Sequence, residues 1–264
     1  MNSVTGAASQ KGVALITVMV IVAIVVVIAG GLLRDHQLDI RRAENVLHGN
    51  QAVYQMLGLE TWAREVLVQD SKDNRTDHLG EDWATILYPV EADGGLVSGR
   101  ILDQQGLFNL NALIDKDGRG DPQAMLAFQR LLDTLGDFES PGAIAEALVD
   151  WMDRDQDVTG LGGREDRDYA ILDPAYRTSG GALTSPTELL LVEGVTFEDW
   201  SRLRLFVTTL PRRGEQASPV NVNTAPAEVL SAWTGVDLAV AGEIVSERGD
   251  DPFDAVGEFK SRLA

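Results

Sequence analysis

The first feature of the chain is an uninterrupted apolar run near its N-terminus. From Val13 to Leu33 it reads VALITVMVIVAIVVVIAGGLL, without a formal charge. At about 1.5 Å per residue, a helix over this run spans roughly 31 Å, the thickness of the hydrocarbon core of a bilayer. Because the run is longer than the apolar part of an ordinary secretory signal peptide, it predicts a transmembrane helix over residues 13–33.

Apolar residues then continue at helical spacing. Residues 34–70 contain no proline, and their leucines, valines and aromatic residues recur three, four and seven positions apart. This periodicity predicts an amphipathic continuation of the same helix over residues 34–70. A single helix from Val13 to Asp70 would be about 87 Å long. The polar residues 71–82 that follow predict a loop.

The rest of the chain alternates between short strand-like and longer helix-like patterns. Residues 85–90 and 95–103 flank Asp93-Gly94-Gly95, which predicts a β-hairpin. Helical periodicity then recurs in the segments 122–135, 141–152, 186–193, 196–207, 225–233, 237–247 and 253–262. Three of these segments have helix-start signals, with proline at the first helical position, namely Asp121-Pro122, Ser185-Pro186 and Asp251-Pro252.

Two asparagine signatures separate these regions. Phe108-Asn109-Leu110-Asn111 and Val220-Asn221-Val222-Asn223-Thr224 each predict a short strand that leads into a helix through an asparagine cap. The patterns together predict an α+β chain, in which a long N-terminal helix, transmembrane at its start, packs on a small α/β head that carries a large α-helical insert. The expected segments are a polar leader over 1–12, the first part of the head over 71–112, the insert over 113–212, and the last part of the head over 213–264.

An acidic loop lies within the predicted insert. Residues 150–168 hold seven carboxylates and three glycines. The alternating Asp153, Asp155 and Asp157 can converge on one hard cation, and Glu165 can add a bidentate pair of oxygens. This predicts calcium, as one or two ions, with a pool of ligands that comprises Asp153, Asp155, Asp157, Glu165, Asp166 and Asp168. A solvated acidic loop without metal is the alternative.

Composition narrows the candidate functions. The 264 residues carry 41 acidic and 22 basic side chains, a net charge of −19, and include no cysteine and three histidines. Zinc, copper and cysteine chemistry are therefore disfavoured. Residues 223–245 resemble a helix-hairpin-helix, a motif that binds DNA, but residues 221–264 carry a net charge of −5. Because phosphate binding needs clustered cations, we expect these helices to pack and not to bind nucleic acid.

No catalytic residue is predicted. His36, His48 and His78 lie in the long helix or the first loop, far in sequence from the acidic loop. The chain is therefore expected not to be an enzyme. Two alternatives stay open at this point, a membrane-anchored calcium-dependent hydrolase and a nucleic-acid-binding pilus component that uses the helix-hairpin-helix segments.

The residues before the apolar run carry a family resemblance. Residues 1–12, MNSVTGAASQKG, resemble the leader of type IV prepilins and type II secretion pseudopilins. This resemblance implies that a prepilin peptidase cuts after Gly12 and methylates Val13. Most members carry glutamate at the fifth mature position, where it is thought to pair with a neighbouring subunit's N-terminal amine, whereas this chain has Thr17. Since an unpaired carboxylate in hydrocarbon is costly, a subunit without one suits the first position of a filament, although a plain anchored protein is the alternative.

Further motifs extend the resemblance over nearly the whole chain. In order they are Gly106-Leu107-Phe108-Asn109-Leu110-Asn111, Asp150-Trp151-Met152-Asp153-Arg154-Asp155, Glu165-Asp166 with Tyr169, Pro174-Ala175-Tyr176-Arg177, Ser185-Pro186-Thr187-Glu188-Leu189 and Asn221-Val222-Asn223-Thr224-Ala225. In this order they resemble the general secretion pathway protein K family, the minor pseudopilins of bacterial type II secretion. One departure is Ser179-Gly180-Gly181, where the family has an asparagine-containing turn, so no metal ligand is carried over there.

The resemblance implies both an architecture and a set of partners. It implies a pseudopilin head whose helical insert binds calcium, and a single-pass protein of the bacterial inner membrane with a cytoplasmic N-terminus and a periplasmic head. It implies a three-subunit tip complex with two other minor pseudopilins, placed above the major pseudopilin. Such a complex caps the filament that exports folded proteins, helps to initiate its assembly and can meet secreted protein substrates.

Overall fold

A long helix, α1 (Ser9–Asp73), opens the computed structural model, which describes residues 9–92, 95–212, 214, 217–249 and 251–263. Residues 1–8 of the predicted leader and Asp93-Gly94 of the predicted hairpin turn lie outside the described residues. The prediction of one continuous helix over residues 13–70 is confirmed. Among the described residues, α1 holds the one stretch that is long and apolar enough to cross a membrane, and its side chains from Val13 to Leu33 are exposed.

The chain divides into two units. The first comprises Met1–Arg64 with Pro89–Val97, and the second comprises Glu65–Tyr88 with Ser98–Ala264. The predicted hairpin is present as a two-stranded sheet of β1 (Leu87–Ala92) and β2 (Gly95–Gly99).

The second unit is built mainly from short helices. They are α2 (Pro122–Leu135), α3 (Pro141–Met152), α4 (Asp166–Tyr169), α5 (Phe197–Leu203), α6 (Ala227–Thr234), α7 (Leu238–Glu247) and α8 (Val256–Arg262). Single 3-10 turns lie at Asp82–Ala84, Gln104–Gly106 and Leu110–Ala112, and a longer 3-10 segment lies at Pro186–Leu191. Helices α2 and α3 have the predicted bounds. The Asp121 side chain accepts hydrogen bonds from the backbone N–H groups of Gln123 and Ala124, which fixes the start of α2.

Two predicted helices differ from the structure in type or in where they end. The segment 186–193 is 3-10 rather than α-helical, although the predicted capping box between Ser185 and Glu188 is present. The helix predicted over 196–207 ends at Leu203, because Val207 and Thr208 form a strand, β4 (Val207–Thr208). This strand pairs in parallel with β3 (Phe108–Asn109). Backbone N–H and C=O groups that a longer helix would have bonded internally are therefore available to pair with a strand distant in sequence.

The two asparagine signatures form the same turn. The Asn109 side chain accepts from the Asn111 N–H at 3.1 Å, and the Asn221 side chain accepts from the Asn223 N–H at 3.0 Å. The first signature begins with the predicted strand, whereas no strand forms at Val220-Asn221, so that part of the prediction is wrong. The Asn221 side chain, by turning the chain there, takes the place of a strand pairing.

The second asparagine of each pair is buried and bridges to a remote segment. Asn111 donates to the Leu183 carbonyl at 3.0 Å and accepts from the Leu183 N–H at 2.7 Å. Asn223 donates to the Phe253 carbonyl at 2.9 Å and accepts from the Phe253 N–H at 2.9 Å. The second bridge explains why α8 begins at Val256 and not at the predicted Pro252, since the backbone at Phe253 is already paired.

One continuous core holds the second unit together. Phe108 lies at its centre, with ring centroids 5.4 Å from Phe128 of α2 and 5.1 Å from Trp233 of α6. Helix α2 packs against both α3 and α6. The predominance of helix with a few short strands confirms the predicted α+β class, while the division into head and insert at residues 112 and 212 stays a prediction.

A second aromatic cluster lies beside the acidic loop. The Trp151 ring of α3 is 5.2 Å from the Tyr169 ring at the end of α4 and 6.1 Å from the Tyr176 ring. The two tyrosine rings are 5.3 Å apart. These contacts join the end of α3 to the segment that follows the loop.

Candidate functional site

Three carboxylates converge where α3 ends and α4 begins. Asp150 lies in the last turn of α3, Asp153 is its C-cap, and Glu165 is the N-cap of α4. One oxygen from each lies within 4.8 Å of the others. The three residues are 0%, 5% and 1% exposed, respectively, so the cluster is shielded from solvent.

Several oxygens of this cluster have no donor. Asp153 Oδ1 and both Glu165 Oε atoms are buried and have no hydrogen-bond partner among the described residues. An ionised carboxylate that is buried without a hydrogen-bond donor destabilises the folded state by several kcal/mol. Either a proton or a cation is needed to relieve this cost. The chemistry of the donor set, carboxylate oxygens only, fits a hard cation such as calcium.

The pKa values of the three carboxylates reflect their burial and their mutual repulsion. Burial, followed by the charges of Asp155, Asp150 and Asp157, raises the pKa of Asp153 to about 7. Burial and the neighbouring carboxylates likewise raise the pKa of Glu165 to about 7. Burial also raises the pKa of Asp150, although hydrogen bonds from Thr159 oppose the shift. The metal-free cluster therefore retains protons near neutral pH.

The structure brings only part of the predicted ligand pool together. Asp153 and Glu165 belong to the convergent cluster, and Asp155 is near enough for its charge to raise the pKa of both. Asp155 and Asp157 are exposed, and the Asp155 side chain accepts from the Asp157 N–H at 2.9 Å.

The two remaining candidates have protein donors. Asp166 Oδ1 accepts from the N–H and from the hydroxyl of Thr178, both at 3.0 Å. Asp168 Oδ2 accepts from the Glu165 N–H at 3.0 Å, a hydrogen bond that caps the start of α4. The roles of the individual ligands stay predictions.

Asp150 is the residue that the predicted pool left out. Its signal was present in the sequence, because Asp150 and Asp153 are three residues apart at the end of a predicted helix and such a spacing places both side chains on one face. The Asp150 carboxylate also accepts from the Thr159 N–H at 3.0 Å. A Cβ atom at Gly163 would lie 2.2 Å from Asp150 Oδ2, so only glycine fits against this carboxylate.

A second carboxylate group, Asp70, Asp77 and Glu81, differs in that Glu81 is already satisfied. Glu81 accepts from the His78 N–H at 2.8 Å and from Trp83 Nε1 at 2.7 Å, and it also accepts from Asn74. Burial alone would raise the pKa of Glu81, but these hydrogen bonds lower it overall. Glu81 therefore needs no cation to stay ionised, whereas burial raises the pKa of Asp70 and of Asp77.

The predicted processing residues lie at the start of α1. Gly12 and Val13 are both within the helix, and their role in cleavage stays a prediction. The hydroxyl of Thr17 donates to the Val13 carbonyl at 2.9 Å. The side chain at the fifth position after Gly12 is thus satisfied within its own helix.

Two arginines that follow the helix-hairpin-helix-like segment, residues 223–245, are engaged within the protein. Arg248 is buried at the end of α7 and donates to the carbonyls of Val222 and Ala225. Burial lowers the pKa of Arg248 to about 10. Arg262 pairs with Glu247 at 3.0 Å. Of the three cations in residues 221–264, two are therefore engaged with protein groups.

Comparison with known proteins gives a consistent family. Residues 106–212 and 220–264 match two family models described as "Type II secretion system (T2SS), protein K". Type II secretion system protein K of Pseudomonas aeruginosa is 39% identical over 262 residues, which cover 96% of this chain and 77% of the relative. The Aeromonas hydrophila protein of the same name is 36% identical over 246 residues, covering 88% and 72%.

A solved structure shares the fold. The chain is similar to one in the crystal structure of the GspK-GspI-GspJ complex from the enterotoxigenic Escherichia coli type 2 secretion system, with a TM-score of 0.72 and 24% identity. The similarity covers 83% of this chain and 76% of that one. At this identity, the similarity is one of fold.

Proposed function

Since this chain belongs to the protein K family of type II secretion systems, we propose that it is the minor pseudopilin that caps the tip of the periplasmic pseudopilus and helps to initiate its assembly. Thr17 is the observation that carries the tip position. Its hydroxyl is bonded to the Val13 carbonyl of the same helix, so α1 offers no carboxylate to the N-terminal amine of a neighbour at this depth. A subunit of this kind needs no neighbour above it.

The partners and the location follow the same proposal. The similar chain of known structure was crystallised in a GspK-GspI-GspJ complex, and we extend this assembly to the present chain with two other minor pseudopilins. The three-subunit complex sits on the major pseudopilin, and α1 anchors the newly made chain in the inner membrane with the head in the periplasm. Prepilin peptidase processes it at Gly12, and the tip position places its head against secreted protein substrates.

Calcium is part of the proposed function. Asp150, Asp153 and Glu165 would hold one ion, and Asp155 and Asp157 lie close enough in sequence to supply further oxygens or part of a second site. The donorless oxygens of Asp153 and Glu165 support this assignment. A bound calcium ion supplies charge neutralisation and no redox or hydrolytic chemistry in this role. The protein's part is to join the end of α3 to the start of α4 through these side chains.

The proposed role is structural and not enzymatic. The two carboxylates whose pKa is raised to about 7, Asp153 and Glu165, are buried and serve the proposed site as ligands of the ion and not as general bases. The relatives are named as components of a secretion system. Nucleic-acid binding is also not expected, because Arg248 and Arg262 are engaged within the protein.

Site-specific labelling tests the tip position. The chain has no cysteine, so Phe197→Cys, at an exposed position of α5, creates a unique attachment site for gold particles. On pseudopili assembled at high level in cells, gold is expected at one end of each filament. The same label on the major pseudopilin is the control and should decorate the whole length. Gold on the present chain along the whole filament would rule out the capping role.

A further inference from the structure

Helix α3 presents a second carboxylate to the acidic loop, one turn before Asp150. Glu146 and Asp150 are four residues apart, a spacing at which two like charges destabilise an isolated helix. Each accepts a backbone N–H from the loop. Glu146 Oε2 accepts from Gly162 at 2.6 Å, and Asp150 Oδ1 accepts from Thr159 at 3.0 Å. The pair of charges on α3 therefore matches a pair of loop donors.

The loop reaches Glu146 only because of its glycines. A Cβ atom at Gly160 would lie 2.2 Å from Glu146 Oε1, and one at Gly162 would lie 2.4 Å from the Cα of Ala143. Gly160 also has a φ of +61°, which disfavours other residues. The backbone of the loop thus lies directly on α3, at a distance that leaves no room for side chains.

Arg164, the residue after these glycines, ties the same stretch to Glu193. Arg164 Nη1 donates to the Gly163 carbonyl at 2.8 Å, and Arg164 Nε lies 3.2 Å from Glu193 Oε1. Glu146 thus accepts from the N–H of Gly162, and Arg164 donates to the carbonyl of Gly163. The next residue along the chain is Glu165, whose oxygens complete the carboxylate cluster.

We infer that Glu146 is a positioning residue for the cation site, which fixes residues 158–164 on α3 so that Glu165 reaches Asp150 and Asp153. This inference rests on the calcium binding proposed above. Glu146 does not belong to the convergent cluster, and its Oε2 atom is already bonded to the loop. It acts by preorganising the loop, so that less ordering is needed when an ion binds.

Two variants of the full chain in detergent test the inference. Glu146→Ala removes the acceptor of the Gly162 N–H, whereas Glu146→Gln keeps an oxygen there without the charge. The alanine variant is expected to bind calcium about tenfold more weakly, the lower end of the effect of removing a supporting group from a metal site. The glutamine variant should keep the wild-type affinity. Glu139→Ala, which removes an exposed carboxylate just before α3, is the control for lost charge.

Terbium luminescence separates positioning from a general loss of stability. The decay of bound Tb³⁺ in H₂O and in D₂O counts the water molecules on the ion. With Glu146→Ala, the count should rise because Glu165 is no longer held in place, and with Glu146→Gln it should be unchanged.

Each contrary result has a distinct meaning. Unchanged affinity and water count in Glu146→Ala would overturn the inference alone. Lost affinity in Glu146→Gln would make Glu146 a ligand and also overturn it. Failure of the wild-type chain to bind calcium would overturn the proposed calcium site together with the inference. If the alanine variant does not fold, Glu146→Asp takes its place, because it keeps the charge but shortens the reach to the Gly162 N–H, and unchanged affinity and water count in that variant would overturn the inference.

Discussion

The carboxylates of Asp153 and Glu165 govern how the second unit responds to pH. Burial is the main cause that raises the pKa of each to about 7, from 3.8 and 4.5, respectively. Between about pH 4 and 7 the metal-free folded chain therefore binds more protons than the unfolded chain. The free energy of unfolding therefore falls as the pH rises over this range, because the folded state binds more protons there.

The corresponding prediction concerns melting without calcium. In EDTA, the melting temperature of the second unit should fall as the pH is raised from 5 to 8, because Asp153 and Glu165 ionise in a buried site. With millimolar calcium, the decline should shrink, because the ion binds the ionised form and stabilises the folded state by mass action. Differential scanning calorimetry over a pH series measures both curves.

A neutral variant provides the control for this prediction. Glu165→Gln keeps the shape of the side chain and removes its charge, so the EDTA curve should flatten and the stabilisation by calcium should be lost. Asp117→Asn, at an exposed position, should leave both curves as in the wild type. A melting temperature that rises with pH in EDTA would contradict the assignment of raised pKa values.

Asn223 tests a different residue-scale claim, that one buried amide side chain joins two distant segments of backbone. Asn223→Ala removes the two hydrogen bonds to the backbone of Phe253 and leaves buried polar groups without partners. The expected loss is about 2–3 kcal/mol in the free energy of unfolding, measured by urea denaturation. Asn74→Ala, at an exposed position, is the comparison and should cost much less. An equal loss in both variants would contradict the bridging role.

At the scale of elements, the approach of the loop to α3 depends on glycine. Gly163→Ala would place a Cβ atom 2.2 Å from Asp150 Oδ2 and 2.5 Å from the Thr159 carbonyl oxygen. Because the second of these is backbone, the loop must move, at a cost of about 1–3 kcal/mol. We expect reduced stability and a calcium affinity lowered at least tenfold, both measured by calorimetry.

A glycine of the same helix offers a matched control. Gly142 lies in α3, and the nearest atom to a Cβ there is Gln129 Nε2 at 3.8 Å. Gly142→Ala should leave calcium affinity unchanged and stabilise the helix by up to about 1 kcal/mol. If the two alanine variants behave alike, the close approach of the loop does not matter for the site.

The elements show which parts of the fold were predictable from sequence. Helices α2 and α3 were predicted with their bounds, because proline at the first position and a clear apolar period are local signals. Strand β4 and the non-helical backbone at Phe253 were missed, because they are determined by partners about 100 and 30 residues away, respectively. At the site, the acidic loop was found by composition, but the inclusion of Asp150 depends on how α3 ends relative to Glu165.

At the scale of the whole molecule, the proposed function requires a processed N-terminus for the chain to enter a filament. We expect protein from its native membranes to begin at methylated Val13, with the apolar helix retained. The mature chain then carries a net charge of −20, which is −19 for the full chain less the +1 of Lys11. Intact mass and N-terminal sequencing measure this directly. A chain that still begins at Met1, or that is cut near Gly31, would exclude the pilin pathway and favour an anchored or secreted calcium protein.

The aromatic cluster has an optical consequence. Trp151 directly follows Asp150, and Tyr169 ends the helix that Glu165 caps, so these rings are attached to the two segments that the cation site joins. Aromatic rings fixed 5.2 Å apart give near-ultraviolet circular dichroism that vanishes when tertiary packing is lost. The unlabelled protein thus carries its own indicator, and ordering of the acidic loop by calcium should change its near-ultraviolet circular dichroism.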